Sequence, residues 1–172
     1  MLLKSVFMGF LSFSILHADT LKECKTEADK ISGCVEREYF SNRNLWIETP
    51  YQNGEREGMA KWYHENGSLA SETPYKNGKI EGIEKWYYEN GNLASETPHK
   101  NDEAHGNLKY YTEDKKLLAT INAQNDKFIS GKCPNNKALT DKDLTEIRRE
   151  DINIEQEINY LKEICLKESD SK

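Results

Sequence analysis

The chain contains no Cys-x-x-Cys pair, no glycine-rich phosphate loop and, beyond its first residues, no long apolar run. The first absence, with no histidine close in sequence to any cysteine, removes the ordinary zinc-binding patterns. The second removes nucleotide-binding loops, because the glycines present belong to hairpin signals. Hydrophobic residues make up only 36% of the 172, which is little for one conventional core and taken alone would suggest disorder. Basic residues are also in deficit, with 24 Lys and Arg against 30 Asp and Glu and a net charge of −6. That balance argues against nucleic acid and against anionic membrane surfaces as partners. Nine tyrosines, three tryptophans and regularly spaced turn signals oppose disorder.

The apolar run that does exist is at the start. Met1-Leu2-Leu3-Lys4 is followed by apolar sequence from Ser5 to Leu16 and then by His17-Ala18-Asp19. This has the form of a secretory signal over residues 1–18, with cleavage expected after Ala18. The run is about 12 residues, short of the roughly 20 that a spanning helix needs. Lipid attachment at Cys24 is disfavoured by the charged approach Leu21-Lys22-Glu23. The expected product is an exported protein, soluble and periplasmic, with membrane association not favoured. Its four cysteines, Cys24, Cys34, Cys133 and Cys165, are an even number in an oxidising compartment. They predict two disulfides in one of three connectivities, and the pairing stays open.

Between those cysteines one stretch repeats with a period of 24. Glu48-Thr49-Pro50-Tyr51 returns as Glu72-Thr73-Pro74-Tyr75 and as Glu96-Thr97-Pro98-His99. Trp62-Tyr63 returns as Trp86-Tyr87 and as Tyr110-Tyr111, and Gly58, Gly82 and Gly106 keep step. Windows 58–81 and 82–105 are identical at 15 of 24 positions, so the repeat sets the architecture. Each unit divides into alternating strands separated by Asn-Gly at 53, 66, 77 and 90, the type I′ hairpin signal. Prolines 50, 74 and 98 lack a ladder donor and are expected at strand ends or bulges. The fourth copy is worn: Asp114-Lys115 stands for Asn-Gly and Ala123 for the tyrosine.

Both ends read as helical. Leu21, Cys24, Ala28 and Ile31 put an apolar face on a helix within 19–33, stopped by Gly33. Thr140 with Asp143 resembles a capping box. Leu144, Ile147, Ile154, Ile158, Leu161 and Cys165 follow at helical steps, with Asp151 interrupting the seam. The simplest expectation is one helix over 141–167, roughly 40 Å long, lying along eight strands that span roughly 35 Å. Such a cover would bring Cys165 back to Cys24 or Cys34, whereas a break at Glu150-Asp151 would restore Cys133–Cys165. The predicted fold is therefore mainly β: an elongated antiparallel meander of four 24-residue hairpin repeats over 34–131, a short N-terminal helical cap at 19–33, and a linker and long C-terminal helix in 132–172, packed on the sheet.

Repetition supplies ladders of like residues, not the single constellation of nucleophile, base and oxyanion donor that an enzyme needs. No catalytic residue, cofactor or metal is expected. A metal set built from His99, Asp102, Glu103 and His105 is disfavoured, because His99 replaces a repeat tyrosine and the acids are ordinary loop charges. Glu48, Glu72 and Glu96 read as a solvated stripe near lysines. The aromatic rows are the binding candidates: Trp62, Trp86 and Tyr110 on one face, Tyr63, Tyr87 and Tyr111 on the other. If the C-terminal helix covers one row, the other becomes an interaction surface. The alternative is that both rows pack within twisted hairpins.

The pattern Gly54-x-x-x-Gly58-x-x-x-Trp62-Tyr63-x-x-Asn66-Gly67-x-Leu69-x-x-Glu72-x-x-Tyr75 resembles MORN repeats over about residues 38–131, most closely the bacterial variant labelled antitoxin-like. The resemblance implies an elongated sheet of successive hairpins and a role in protein interaction or scaffolding, here in the cell envelope. Its label raises a second reading, an antitoxin or immunity protein that neutralises a partner toxin. A third reading, from a different class, is an envelope metal-dependent hydrolase. The worn fourth copy, the helical tail and the flanking cysteines depart from the family pattern.

Overall fold

A computed structural model describes residues 21–149 and 151–167. The expected signal at 1–18 lies outside them. The chain opens with α1 (Glu27–Ser32), shorter than the predicted cap. Thr26 and Asp29 form its capping box, and Gly33 ends it at a φ of 102°. The apolar face read there is not buried, since Ile31 is 63% exposed. Residues 21–26 precede the helix, and Cys24 in that segment bonds to Cys34.

Twelve antiparallel strands follow as one open sheet. The long ones are β1 (Cys34–Tyr39) and β2 (Leu45–Gln52), then, after the two-residue β3 (Glu55–Arg56), β4 (Gly58–Tyr63) and β5 (Leu69–Lys76). The same pattern continues through β6 (Lys79–Ile80), β7 (Gly82–Tyr87), β8 (Leu93–Lys100), β9 (Glu103–Ala104), β10 (Gly106–Tyr111), β11 (Leu117–Gln124) and β12 (Lys127–Lys132). Neighbours in the sheet run in chain order, while β3, β6 and β9 only curl back on β2, β5 and β8.

Two turn chemistries alternate. At Asn53-Gly54 and Asn77-Gly78 both residues have positive φ, as the type I′ turn demands. Asn101-Asp102 and Asn125-Asp126 adopt the same conformation without glycine, because Asn and Asp tolerate it best among side-chain-bearing residues. Asn66-Gly67 and Asn90-Gly91 differ from the expectation. Only their glycines have positive φ, the Gly67 amide bonds back to the His64 carbonyl, and a bulge separates Trp62 from Tyr63. The five-residue connection is a β-turn with a bulge, which adds twist to each long hairpin.

The prolines sit inside strands, beside irregularities. The Pro74 carbonyl accepts from Glu81 where β6 gives way to β7, so its missing N–H faces a place where the ladder is already interrupted. Gly82 is the counterpart of that break: its φ is 126°, and a Cβ there would lie 3.0 Å from Pro74 Cγ. The 24-step glycine and the 24-step proline are thus two halves of one contact.

The C-terminal region is not a single helix. After an isolated bridge between Lys132 and Ala138 come α2 (Asp141–Ile147) and α3 (Ile154–Cys165). The Thr140–Asp143 capping box starts α2, and Asn153 with Gln156 makes a second one for α3. Between them Arg149 bonds to both Glu146 and Asp151. Asp151, the polar interruption in the helical seam, therefore stands in the turn. The break lets the second helix fold back, and Cys165 pairs with Cys133 rather than with the N-terminal cysteines. Instead of roofing the whole array, the two helices cover its end. There Leu108, Tyr110, Leu118, Ile121, Leu139, Leu144, Ile147, Ile158 and Leu161 make the main buried cluster.

Candidate functional site

Strand alternation separates the two aromatic rows. Across β2 to β11 the register places Ile47, Trp62, Ser71, Trp86, Ser95, Tyr110 and Ala119 in one line, with aromatic and small residues alternating from Trp62 onward. The helices lie on this side: Lys30 of α1 sits over the Tyr51 ring, and the Tyr110 hydroxyl donates to Glu157 of α3 at 2.9 Å. Trp62 and Trp86 are half-buried, but Tyr110 is only 2% exposed and cannot meet a partner from solution.

On the opposite side Tyr63, Tyr87 and Tyr111 are half-buried and share one arrangement. Their hydroxyls donate to Glu48, Glu72 and Glu96 at 3.0, 2.9 and 3.0 Å. The register sets Lys61 beside both Glu48 and Glu72, and Lys85 beside both Glu72 and Glu96. Glu48, at 3% exposure, also lies 3.5 Å from the cations of Arg37 and Lys61. The glutamates are thus hydrogen-bonded members of a Tyr–Glu–Lys ladder and not the solvated stripe expected. Burial and the neighbouring carboxylates raise the Tyr87 hydroxyl well above its ordinary range, and the Tyr111 hydroxyl to about 12. All three hydroxyls serve as donors.

A groove of about 1180 Å³ opens on the tryptophan side, between the sheet and the two helices. The sheet contributes Glu84, Trp86, Ser95, Thr97 and His99 to it, and the helical side contributes Leu144, Arg148, Ile154 and Glu157. His99 Nε2 is 3.1 Å from Glu84 Oε2, while Thr73 donates to Glu84 Oε1 at 3.0 Å. Burial opposes a charge on His99, yet the hydrogen bond and charge of Glu84 outweigh it and raise the imidazole above its ordinary value. Glu157 is raised too, which for a carboxyl disfavours the charged form. Burial lifts it to about 7, the Tyr110 hydrogen bond resists, and the charge of Glu84 adds to the rise.

Reading the sequence found His99 but assigned it no partner, and it missed Glu84, Ser95 and Glu157. A signal was present in the repeat: Glu84 stands where the adjacent units carry Ala60 and Leu108. Glu157 is invisible in that comparison because it comes from outside the repeats. The loop acids do not assemble around His99, whose Nδ1 lies 3.3 Å from the Asp102 carbonyl oxygen. Among the described residues no group of three or more His, Cys, Asp or Glu could hold a metal ion.

An open antiparallel sheet built from successive hairpins of constant step is a β-repeat array. The family described as MORN repeat variant matches residues 56–77 and 80–101, so these two units of the array are MORN-type repeats. The chain matches no curated protein. Among solved structures it is similar to a chain of the "Glycosylation Associate Protein (Gap123) complex from Streptococcus agalactiae", at 13% identity and a TM-score of 0.40. That similarity spans 91% of this chain and 27% of the other, and is too low to bear on function.

Proposed function

We propose that this chain is a non-enzymatic, exported MORN-type module that binds another protein in the cell envelope through the sheet face bearing Tyr63, Tyr87 and Tyr111. The observation that carries the proposal is the Tyr–Glu–Lys ladder on the face opposite α2 and α3. Three half-buried rings repeat at a constant step, and hydrogen bonds hold their hydroxyls, so little side-chain freedom is lost on docking. Tyrosines of this kind, amphipathic and with few rotatable bonds, are enriched at protein interfaces. Glutamates and lysines in register give the face a pattern of both signs, which selects partners by charge complementarity. Export is supported by the leading apolar segment and by two disulfides. Among the described residues no helix is long and apolar enough to cross a membrane.

The test is a pull-down from an envelope extract with wild type, Tyr63→Ala/Tyr87→Ala and Trp62→Ala/Trp86→Ala, with circular dichroism confirming the fold of each. The tyrosine variant is expected to lose a protein that wild type captures. Identical captures by wild type and the tyrosine variant would sink the proposal.

A further inference from the structure

A repeated scaffold becomes individual where its copies differ, and two such differences meet on the groove wall. Position 84 is glutamate where the adjacent units have Ala60 and Leu108, and position 99 is histidine where they have Tyr75 and Ala123. The two side chains are bonded to each other at 3.1 Å. Ser95 belongs to the same wall, between Trp86 and Tyr110 in the aromatic line. It is 1% exposed, and among the described residues its hydroxyl has no hydrogen-bond partner. A buried hydroxyl left unpaired carries a desolvation cost that nothing among the described residues offsets. From across the groove Glu157 adds a carboxyl that accepts from the Tyr110 hydroxyl at 2.9 Å.

We infer that this groove is a binding site for a neutral oligosaccharide. The class follows from the combination of groups. An indole with hydroxyls and carboxyls around it matches a sugar ring, which has an apolar C–H face and a rim of hydroxyls that both donate and accept. The Glu84–His99 pair places an acceptor next to a donor, as recognition of adjacent hydroxyls requires, and Glu157 adds an acceptor from across the groove. The remaining ionisable lining carries both signs, with Asp126 and Asp141 against Lys127, Arg148 and Arg149, so no single ligand charge is selected. The groove slightly exceeds the largest usual small-molecule pockets, about 1,000 Å³, and suits an oligomer better than one ring. In the structure as it stands the Ser95 hydroxyl is covered. Reaching it requires the side chain of Trp86, its register neighbour, to shift, after which a ligand hydroxyl supplies the missing partner.

The site lies on the opposite face from the protein-binding ladder, so the two proposals fail separately. The experiment titrates the full exported chain with cellotriose, maltotriose and triacetylchitotriose, reading tryptophan emission and calorimetric heat, with spermidine and trilysine as charged comparisons. At least one trisaccharide is expected to bind saturably and about tenfold more tightly than either cation. Ser95→Ala is expected to weaken that sugar by about 5- to 10-fold while leaving the thermal midpoint equal or higher, because it removes an unpartnered buried hydroxyl. Trp86→Ala should abolish the response, and the serine variant decides the matter if the tryptophan variant does not fold. No saturable response to any of the three sugars, unchanged affinity in Ser95→Ala, or tighter binding of a cation would each overturn the inference.

Discussion

Glu157 sits on α3 with its carboxyl against the Tyr110 hydroxyl, and burial raises its proton affinity to about 7 from an ordinary 4.5. The folded chain therefore binds more protons than the unfolded chain between those values. Stability from this group is present in full below about 4.5 and is lost as pH rises through about 7, a loss on the order of 3 kcal/mol. His99 is raised as well and acts with the same sign around and above its ordinary 6.5, so part of the slope belongs to it. Glu157→Gln is expected to flatten the remainder and to raise the urea midpoint at pH 8 relative to wild type. Equal slopes between pH 5 and pH 8 in the two proteins would contradict this. Glycine 82 offers a second residue-scale test, because positive φ and a near contact coincide there. Gly82→Ala is expected to cost about 1–3 kcal/mol in urea unfolding. Gly67→Ala, with positive φ but no atom within 4 Å, should cost about 1 kcal/mol.

The elements divide into a repeating sheet and a closing pair of helices, held by different means. Each long hairpin is fixed locally by its bulged turn and laterally by bonds reaching the next unit. Asn44 and Asn92 donate across to the carbonyls of Glu65 and Glu113. Asn77 and Asn101 amides reach the carboxylates of Glu57 and Glu81. The helical pair depends on burial against β10–β12 and on Cys133–Cys165, a link across 32 positions. Closing a loop of that length restricts the unfolded chain and is worth about 2–4 kcal/mol. Cys133→Ser/Cys165→Ser should therefore unfold at lower denaturant and, in hydrogen exchange, lose protection in α3 before the strands around Trp62. Uniform loss across the whole sheet would show instead that helices and array form one cooperative unit. The Cys24–Cys34 bond closes a span of only 10, so Cys24→Ser/Cys34→Ser is expected to cost less.

At the scale of the whole molecule the burial is uneven. Toward the N-terminal end, small buried residues such as Ala60, Ser71 and Thr73 accompany half-buried aromatics. At the C-terminal end a compact aliphatic core gathers under the helices. Such a gradient explains how a chain with only 36% hydrophobic residues folds, since a thin array needs few large aliphatic groups and concentrates them where the sheet must be closed. It also gives the molecule two unlike surfaces: an extended ladder on one face, and on the other a groove formed only where helices meet repeats.

The repeat, its strand alternation and the division into two aromatic rows were all legible in the residues. They depend on a period of two within strands and 24 between units, which are local properties that every copy restates. The tyrosine–glutamate bonds were not legible, because strand pairing and not sequence distance brings Tyr63 to Glu48. Of the two expectations for 141–167, the break near Glu150-Asp151 holds and the continuous helix does not, since periodicity carries on across a turn whose cap, Asn153 with Gln156, is a weaker signal than the apolar steps around it. That one break decided the disulfide pairing, the position of the core and the existence of the groove. The sequence by itself determined the sheet, because its contacts are between neighbours along the chain. Only the tertiary structure decided which residues face Glu157, because the partners there lie 47 positions or more apart and meet through packing alone.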